Sequence, residues 1–244
     1  MNKDKITCYL LHSRPFKETS LITHLFSCER GRLSLLAKGV KRKSAQGLRA
    51  VLQPFSLLEI EYVGRSDLKT LCQVEVLQSW SSVSNRVLAC GYYLNELIMR
   101  ATEEWQESEE LFNCYRQSLG QLQVLGEQQN IELAKVLRNF EVTLLTQLGL
   151  APDWEKDIVQ ADIVANGFYH YIVDEGFSPV ASEINMDDKN QVATNQPRWI
   201  GEAILSLSSG EYKPEMLQSC KRLTQHLLLP VIGDKPITSR KMWL

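Results

Sequence analysis

Several catalytic signatures are missing from this 244-residue sequence, which has no GxxxxGK(S/T) phosphate loop, no GxGxxG, no HExxH and no GxSxG. Nucleotide hydrolysis, dinucleotide binding, zinc proteolysis and the α/β-hydrolase nucleophile thus lack their usual sequence support. The six cysteines (Cys8, Cys28, Cys72, Cys90, Cys114, Cys220) never come within ten residues of one another. Zinc ribbons and knuckles need ligand pairs two to four residues apart, so that one tight turn presents both sulfurs to the metal. Neither a zinc site nor a disulfide framework is expected, and the cysteines read as reduced, mostly buried small hydrophobes. The four histidines (His12, His24, His170, His226) are far apart and read as structural. Acidic pairs such as Glu103-Glu104, Asp174-Glu175 and Asp187-Asp188 read as solvated, because neighbours in a helix do not share a face. Without a clustered acidic motif, a metal-dependent nuclease has little support. Apolar runs such as residues 6–11 and 227–232 fall far short of the roughly 20 residues that span a bilayer. The opening MNKDKITCYLLHSRP is charged at once and has no small-residue cleavage site, so it does not read as a signal peptide. The expectation is a non-enzymatic, cofactor-free cytoplasmic protein.

What is present is ordinary in amount and uneven in placement. Hydrophobic residues at 44% and charged ones at 23% exclude a disordered chain, a collagen-like repeat and a coiled-coil rod. At roughly 150 residues per domain, the length allows one or two domains. The formal net charge of −2 conceals a split. Residues 1–70 carry thirteen basic against six acidic residues, a net of +7, and the remainder carries fourteen against 23, a net of −9. A basic first third on an acidic remainder suggests a polyanion-binding module joined to something of another kind.

Periodicity divides the chain at nearly the same place. Up to about Gln78 the period is two. Leu58, Ile60 and Tyr62 alternate with Glu59 and Glu61, a Gly64-Arg65-Ser66-Asp67 turn follows, and Leu68, Thr70, Cys72, Val74 and Val76 continue the alternation. An earlier hairpin joins residues 21–27 to 32–38 across a turn whose Gly31 can take a positive φ. With an opening strand at residues 6–12 this makes five strands in under 80 residues, suited to a small closed barrel of the OB type, although an SH3-like barrel has the same periodicity. After Trp80 the period becomes about 3.6. One stripe runs through Val87, Tyr93 or Leu94, Leu97, Ile98 and Ala101, a second through Leu111, Tyr115, Leu119 and Leu122, and a third through Leu133, Leu137, Phe140, Leu144 and Leu148. Three antiparallel helices are expected, the second starting at Ser108 and the third stopping at the LGLAP of residues 148–152. A polar insertion at about 153–197 holds one short hairpin, residues 168–173 and 177–180 around Asp174-Glu175-Gly176. Two further helices are expected at 199–208 and 214–228. The predicted architecture is α+β and multidomain. It consists of an OB-type barrel at 1–80 and a mainly helical domain at 81–244 with a zinc-free hairpin insertion.

The densest cationic stretch is AKGVKRKS at residues 37–44, which leaves the third strand and continues to Arg49. On a glycine-containing loop, Lys38, Lys41, Arg42 and Lys43 can track phosphates without fitting a helix or strand. A solvated basic loop is the bland alternative. Arg14, Lys17, Arg30 and Arg32 add cations to the same module, and Lys38, Lys41, Arg42, Lys43, Arg14, Arg30, Arg32 and Arg49 form the candidate nucleic-acid contact set. Tyr9, Phe16, Phe26, Phe55 and Tyr62 are aromatic enough to stack on bases, yet each also suits a barrel core.

Several of these stretches share a likeness. HSRPFKETS at 12–20, ERGRLS at 29–34, AKGVKR at 37–42, LQPF at 52–55 and the G-x-K-P-x-x-S-R ending at 233–240 together resemble the RecO family of bacterial recombination mediators. The resemblance implies an N-terminal OB barrel, a helical C-terminal domain and non-catalytic binding of single- and double-stranded DNA. It also implies annealing of complementary strands, work with RecR, contact with the single-stranded DNA-binding protein, and loading of the RecA recombinase during DNA repair, close to the nucleoid. Many members of that family carry two zinc-binding CxxC pairs just past an LGL-type helix end, whereas residues 152–180 here contain no cysteine. No metal is expected. Asp153, Asp157 and His170 read as loop residues and not as substitute ligands. The acidic, apolar-ended tail of the single-stranded DNA-binding protein needs an apolar groove with a cation at its rim. Lys135 and Arg138 beside Phe140 are the candidate site, with an ordinary core helix as the alternative. A rival to the mediator reading is a protein-interaction or RNA-binding scaffold without annealing activity.

Overall fold

The computed structural model describes residues 4–40, 46–64, 68–81, 84–126, 128–180 and 196–239. The chain forms two compact units, one of Met1–Thr143 with Val231–Leu244 and the other of Leu144–Pro230.

The first unit is built on a closed five-stranded barrel. Its strands are β1 (Asp4–Phe16), β2 (Ser20–Ser27), β3 (Gly31–Ala37), β4 (Leu57–Val63) and β5 (Lys69–Gln78), with a short helix α1 (Gln46–Val51) between β3 and β4. The strand order is β1-β2-β3-β5-β4, with β1 pairing to both β2 and β4 and the ring closed by a parallel β3–β5 contact from Leu35↔Lys69 to Ala37↔Leu71. This order settles the barrel as OB-type. The alternation predicted from sequence is visible as burial: Cys8, Leu10, Leu25, Leu33, Leu35 and Leu58 are wholly buried inside the barrel. β1 runs longer than residues 6–12 at both ends, because it must pair with β4 near its start and with β2 as far as Phe16↔Ser20. A register shift between Leu10 and His12 bends it on the way.

Helices α2 (Asn85–Ala101) and α3 (Glu109–Val124) and most of α4 (Asn130–Gln147) belong to the barrel's unit. The compact units therefore do not divide at residue 80. Tyr9 and Phe26 point outward from β1 and β2 onto Phe112 and Tyr115 of α3, with ring centroids 5.2–6.0 Å apart. The buried Asn95 of α2 donates through Nδ2 to the carbonyl of Leu11, at 2.8 Å, where β1 bulges, and Tyr115 donates its hydroxyl to Asn95 Oδ1 at 2.6 Å. An amide buried this deeply needs both bonds, so α2, α3 and β1 are held in one arrangement. The segment after α2 crosses the barrel: Trp105 N donates to Arg32 O at 2.8 Å, and Gly31 (φ +58) lies so close that a Cβ there would stand 1.7 Å from Gln106 O. Only glycine fits that position.

The C-terminal motif is pinned to α2. Glu96 accepts from Thr238 N (2.9 Å), Ser239 N (3.0 Å) and Ser239 Oγ (3.1 Å), while Arg100 donates to the carbonyls of Lys235 (2.6 Å) and Pro236 (3.0 Å).

In the second unit, β6 (Phe168–Ile172), β7 (Gly176–Pro179) and β8 (Trp199–Ile200) form a small antiparallel sheet, followed by α5 (Gly201–Ser209), a 3-10 turn (Pro214–Met216) and α6 (Leu217–Ile232). Trp199 was expected to open a helix and instead pairs with Tyr169 as a strand. The turn into α5 allows no side chain, since a Cβ on Gly201 would lie 2.1 Å from Val164 O. Among the described residues no helix is long and apolar enough to cross a membrane.

Candidate nucleic-acid interface

Strand direction sorts the candidate cations. Arg14 lies near the end of β1, Lys17 in the β1–β2 turn and Lys38 just past β3, and antiparallel pairing of Leu21 with Ala37 brings these three to one end of the barrel. All three are exposed. Lys38 sits between buried Ala37 and Val40, and Gly39 at φ +71 turns the chain there. Arg30 is also exposed but lies in the β2–β3 turn, at the opposite end of an eight-residue strand, about 25 Å away at strand rise. Arg49 falls within α1. Lys41, Arg42 and Lys43 lie outside the described residues.

Arg32 has a structural position. Its guanidinium donates to Thr102 O through Nε (3.2 Å) and Nη2 (2.8 Å) and pairs with Glu104 at 3.2 Å, with only 15% of the side chain exposed. It clamps the post-α2 segment to β3, and a phosphate would have to compete with that carboxylate. The barrel wall is also not uniformly basic. Glu59 and Glu75 face each other directly across β4 and β5, with Glu61 beside them, and Lys5 pairs with Glu59 at 2.6 Å. Like charges in register repel, and this wall is unsuited to a polyanion.

Between the cationic end and α3 lies a histidine pair. His12 and His24 are cross-strand partners with rings nearly parallel (15°) and centroids 6.1 Å apart. Burial, with His12 and Arg14 nearby, holds His24 below the usual imidazole range, and its Nδ1 shares a 2.8 Å hydrogen bond with Ser34 Oγ. Of the barrel aromatics, Tyr9, Phe26, Phe55 and Tyr62 are buried, and only Phe16 keeps part of its ring accessible.

The partner-tail candidates separate. Lys135 is at the surface, paired with Glu132 at 2.9 Å. Arg138 and Phe140 are 2% and 0% exposed and so cannot form the rim and floor of an open groove. Arg138 pairs with Glu141 one turn along α4, and Tyr93 donates its hydroxyl to the same carboxylate at 2.6 Å. The expectation is corrected for these two residues: Arg138 belongs to a buried polar cluster between α2 and α4, and Phe140 packs edge-on against Tyr115 of α3. Sequence alone could not flag this, because an Arg–Glu pair at i,i+3 reads as a surface pair.

The insertion is held by loop caps and an aromatic centre. Asp153 Oδ1 accepts from Glu155 N (2.9 Å) and Lys156 N (3.0 Å), and Asp157 Oδ1 from Val159 N and Ala161 N (both 2.9 Å). Phe177 is wholly buried and meets Trp154 and Tyr171. Both aspartates are thus committed to backbone amides, and among the described residues no three His, Cys, Asp or Glu side chains are grouped to hold a metal. These residues do not fit the zinc site that the family resemblance implies for many members.

Two family matches cover nearly the whole chain: Recombination protein O N terminal over residues 1–80 and Recombination protein O C terminal over residues 86–241. The chain belongs to the RecO family. Its members act in DNA repair and recombination, a role that involves interaction with DNA. The DNA repair protein RecO of Alteromonas mediterranea is 38% identical, with 100% of this chain and 98% of that protein aligned. Those of Polynucleobacter asymbioticus and Laribacter hongkongensis are 34% and 31% identical, each covering 96% of this chain and 93% and 91% of their own lengths. The family boundary between residues 80 and 86 coincides with the switch of periodicity, whereas the compact units follow the packing of α2 and α3 on the barrel.

Proposed function

We propose that this RecO-family chain is a non-catalytic recombination mediator, which anneals complementary single strands and helps load a recombinase onto strands coated by the single-stranded DNA-binding protein. The observation that carries the reading is the gathering of Arg14, Lys17 and Lys38 at one end of an OB-type barrel, beside the sequence position of Lys41, Arg42 and Lys43. Two complementary strands repel each other through their phosphates. A cationic surface that neutralises both lowers that barrier and releases counterions, while base pairing supplies the sequence match. The acidic β4–β5 wall keeps the strands to the cationic end. Both single- and double-stranded DNA satisfy such a surface, because its contacts are to backbone. RecR, the single-stranded DNA-binding protein and, through them, RecA are the protein partners that the family likeness supports, and the nucleoid is where they would be met.

The test is the annealing rate of complementary oligonucleotides precoated with the cognate single-stranded DNA-binding protein, at two salt concentrations and without nucleotide or added metal. Acceleration that fades with salt is expected. No acceleration, or a preference for RNA, would leave an interaction scaffold as the better reading.

A further inference from the structure

The sequence offers five barrel aromatics for contact with bases, and the structure removes four of them. Tyr9 and Phe26 are 4% and 1% exposed beneath α3, and Phe55 and Tyr62 are 3% and 1% exposed. The nearby Trp80 and Trp105 are also engaged. Trp80 donates Nε1 to Leu119 O at 2.9 Å and packs edge-on against Phe55, while Trp105 packs on the barrel core with Lys69 Nζ 3.5 Å above its ring. Phe16 differs from all of these. It is the last residue of β1, paired with Ser20, and it is the one barrel aromatic among the described residues that stays outside the buried set.

Its surroundings are cationic. Arg14, two residues earlier, projects from the same side of β1, because side chains alternate along a strand. Lys17 follows with φ 51, a left-handed turn conformation, and its ammonium stands 5.5 Å from the centre of the Phe16 ring. Pro15 lies between the two and stiffens the approach to the turn. One apolar ring is therefore bracketed by two exposed cations at the tip of the β1–β2 hairpin, the loop that OB folds place beside bound oligonucleotides. A partly exposed aromatic in a basic setting suits neither an apolar partner, which would have to strip water from the cations, nor duplex DNA alone, whose bases are already stacked on one another.

We propose that Phe16 is a stacking platform for one unpaired base, with Arg14 and Lys17 holding the phosphates on either side. This rests on the reading of the barrel's cationic end as a DNA surface, and it adds what that reading lacks, a contact that tells single strands from duplex. The two cations act on either form, whereas the ring acts only on a base free to leave its neighbours. An unpaired base held splayed on Phe16 is also exposed along its pairing edge, which is the state a complementary strand must meet.

The experiment uses the full chain and a 15-residue oligothymidylate carrying one 2-aminopurine, with the matching duplex as comparison, at two salt concentrations. Phe16→Ala is expected to weaken single-strand binding roughly 5- to 150-fold, the usual value of one stacked base, and to leave duplex binding within about two-fold. The unsubstituted protein should quench 2-aminopurine, and this quenching should vanish in Phe16→Ala and survive in Phe16→Trp. Arg14→Ala and Lys17→Ala should weaken both forms and lower the salt slope. The proposal is overturned if Phe16→Ala, with an unchanged thermal melt, binds single strands normally or loses both forms equally. Absence of salt-dependent binding by the unsubstituted protein would instead strike the underlying assignment of the barrel end.

Discussion

Replacing Arg138 by methionine removes the positive member of a pair whose side chains are 3% and 0% exposed. Glu141 keeps the Tyr93 hydroxyl at 2.6 Å but loses its counter-charge in a place water does not reach. Breaking a buried pair from one side costs about 3–5 kcal/mol, because the surviving charge stays desolvated. At about 2–4 °C per kcal/mol for a chain of this size, the melting temperature should fall roughly 6–20 °C. The double variant Arg138→Met with Glu141→Leu should regain part of the loss, since an apolar pair of similar volume has no charge to desolvate, although the Tyr93 hydroxyl gives up that acceptor. Thermal unfolding at pH 7 of the single and double variants, with hydrogen exchange read on α2 and α4, measures both effects. A single variant that melts within a degree of the parent would refute the reasoning. If that stable variant also lost affinity for an acidic partner tail, Arg138 would act at the surface after all.

Three further outcomes are expected. The Glu96 carboxyl is held below its ordinary range: burial pushes it up, but the amides of Ser239 and Thr238 and the Arg100 guanidinium outweigh that. Its contribution is therefore complete above the unfolded value near pH 4.3 and disappears as the pH falls through the lower folded value. Glu96→Gln at pH 7 should speed exchange of the Thr238 and Ser239 amides, and unchanged protection would dismiss the latch. Gly31→Ala should cost more than about 2 kcal/mol in chemical denaturation, because the added carbon meets Gln106 O at 1.7 Å at a positive φ. Gly149→Ala, also at positive φ (+69) but with nothing within 4 Å, should cost only about 1–2 kcal/mol. Alanine at Lys41, Arg42 and Lys43 together should weaken binding to all sequences alike and flatten the single-strand salt slope by up to about 2, at roughly 0.7 per phosphate. An unchanged slope would remove that loop from the interface.

Much of the architecture was legible along the chain, because one buried face imposes a period. Alternation placed β2 to β5 within a residue or two, the 3.6-residue stripes placed α2 to α4, and Gly31 and Gly149 marked a turn and a helix end. Charge counting identified the basic third, and several motifs in order carried the family. A sum of charges has no direction, however. Strand polarity and register decided that Arg14, Lys17 and Lys38 share one end while Arg30 lies at the other, and that Glu59 and Glu75 stand face to face. The burial of Arg32 and Arg138 likewise depends on partners brought in by folding, the Thr102 carbonyl 70 residues away in one case and the meeting of α2 with α4 in the other. Trp199 fits a strand or a helix start equally until Tyr169 supplies its register. A local pattern reports which side of an element is buried, and so it determines elements. Which residues meet at a site is a property of pairs distant in sequence, and only the closed barrel and its packed helices bring those pairs together.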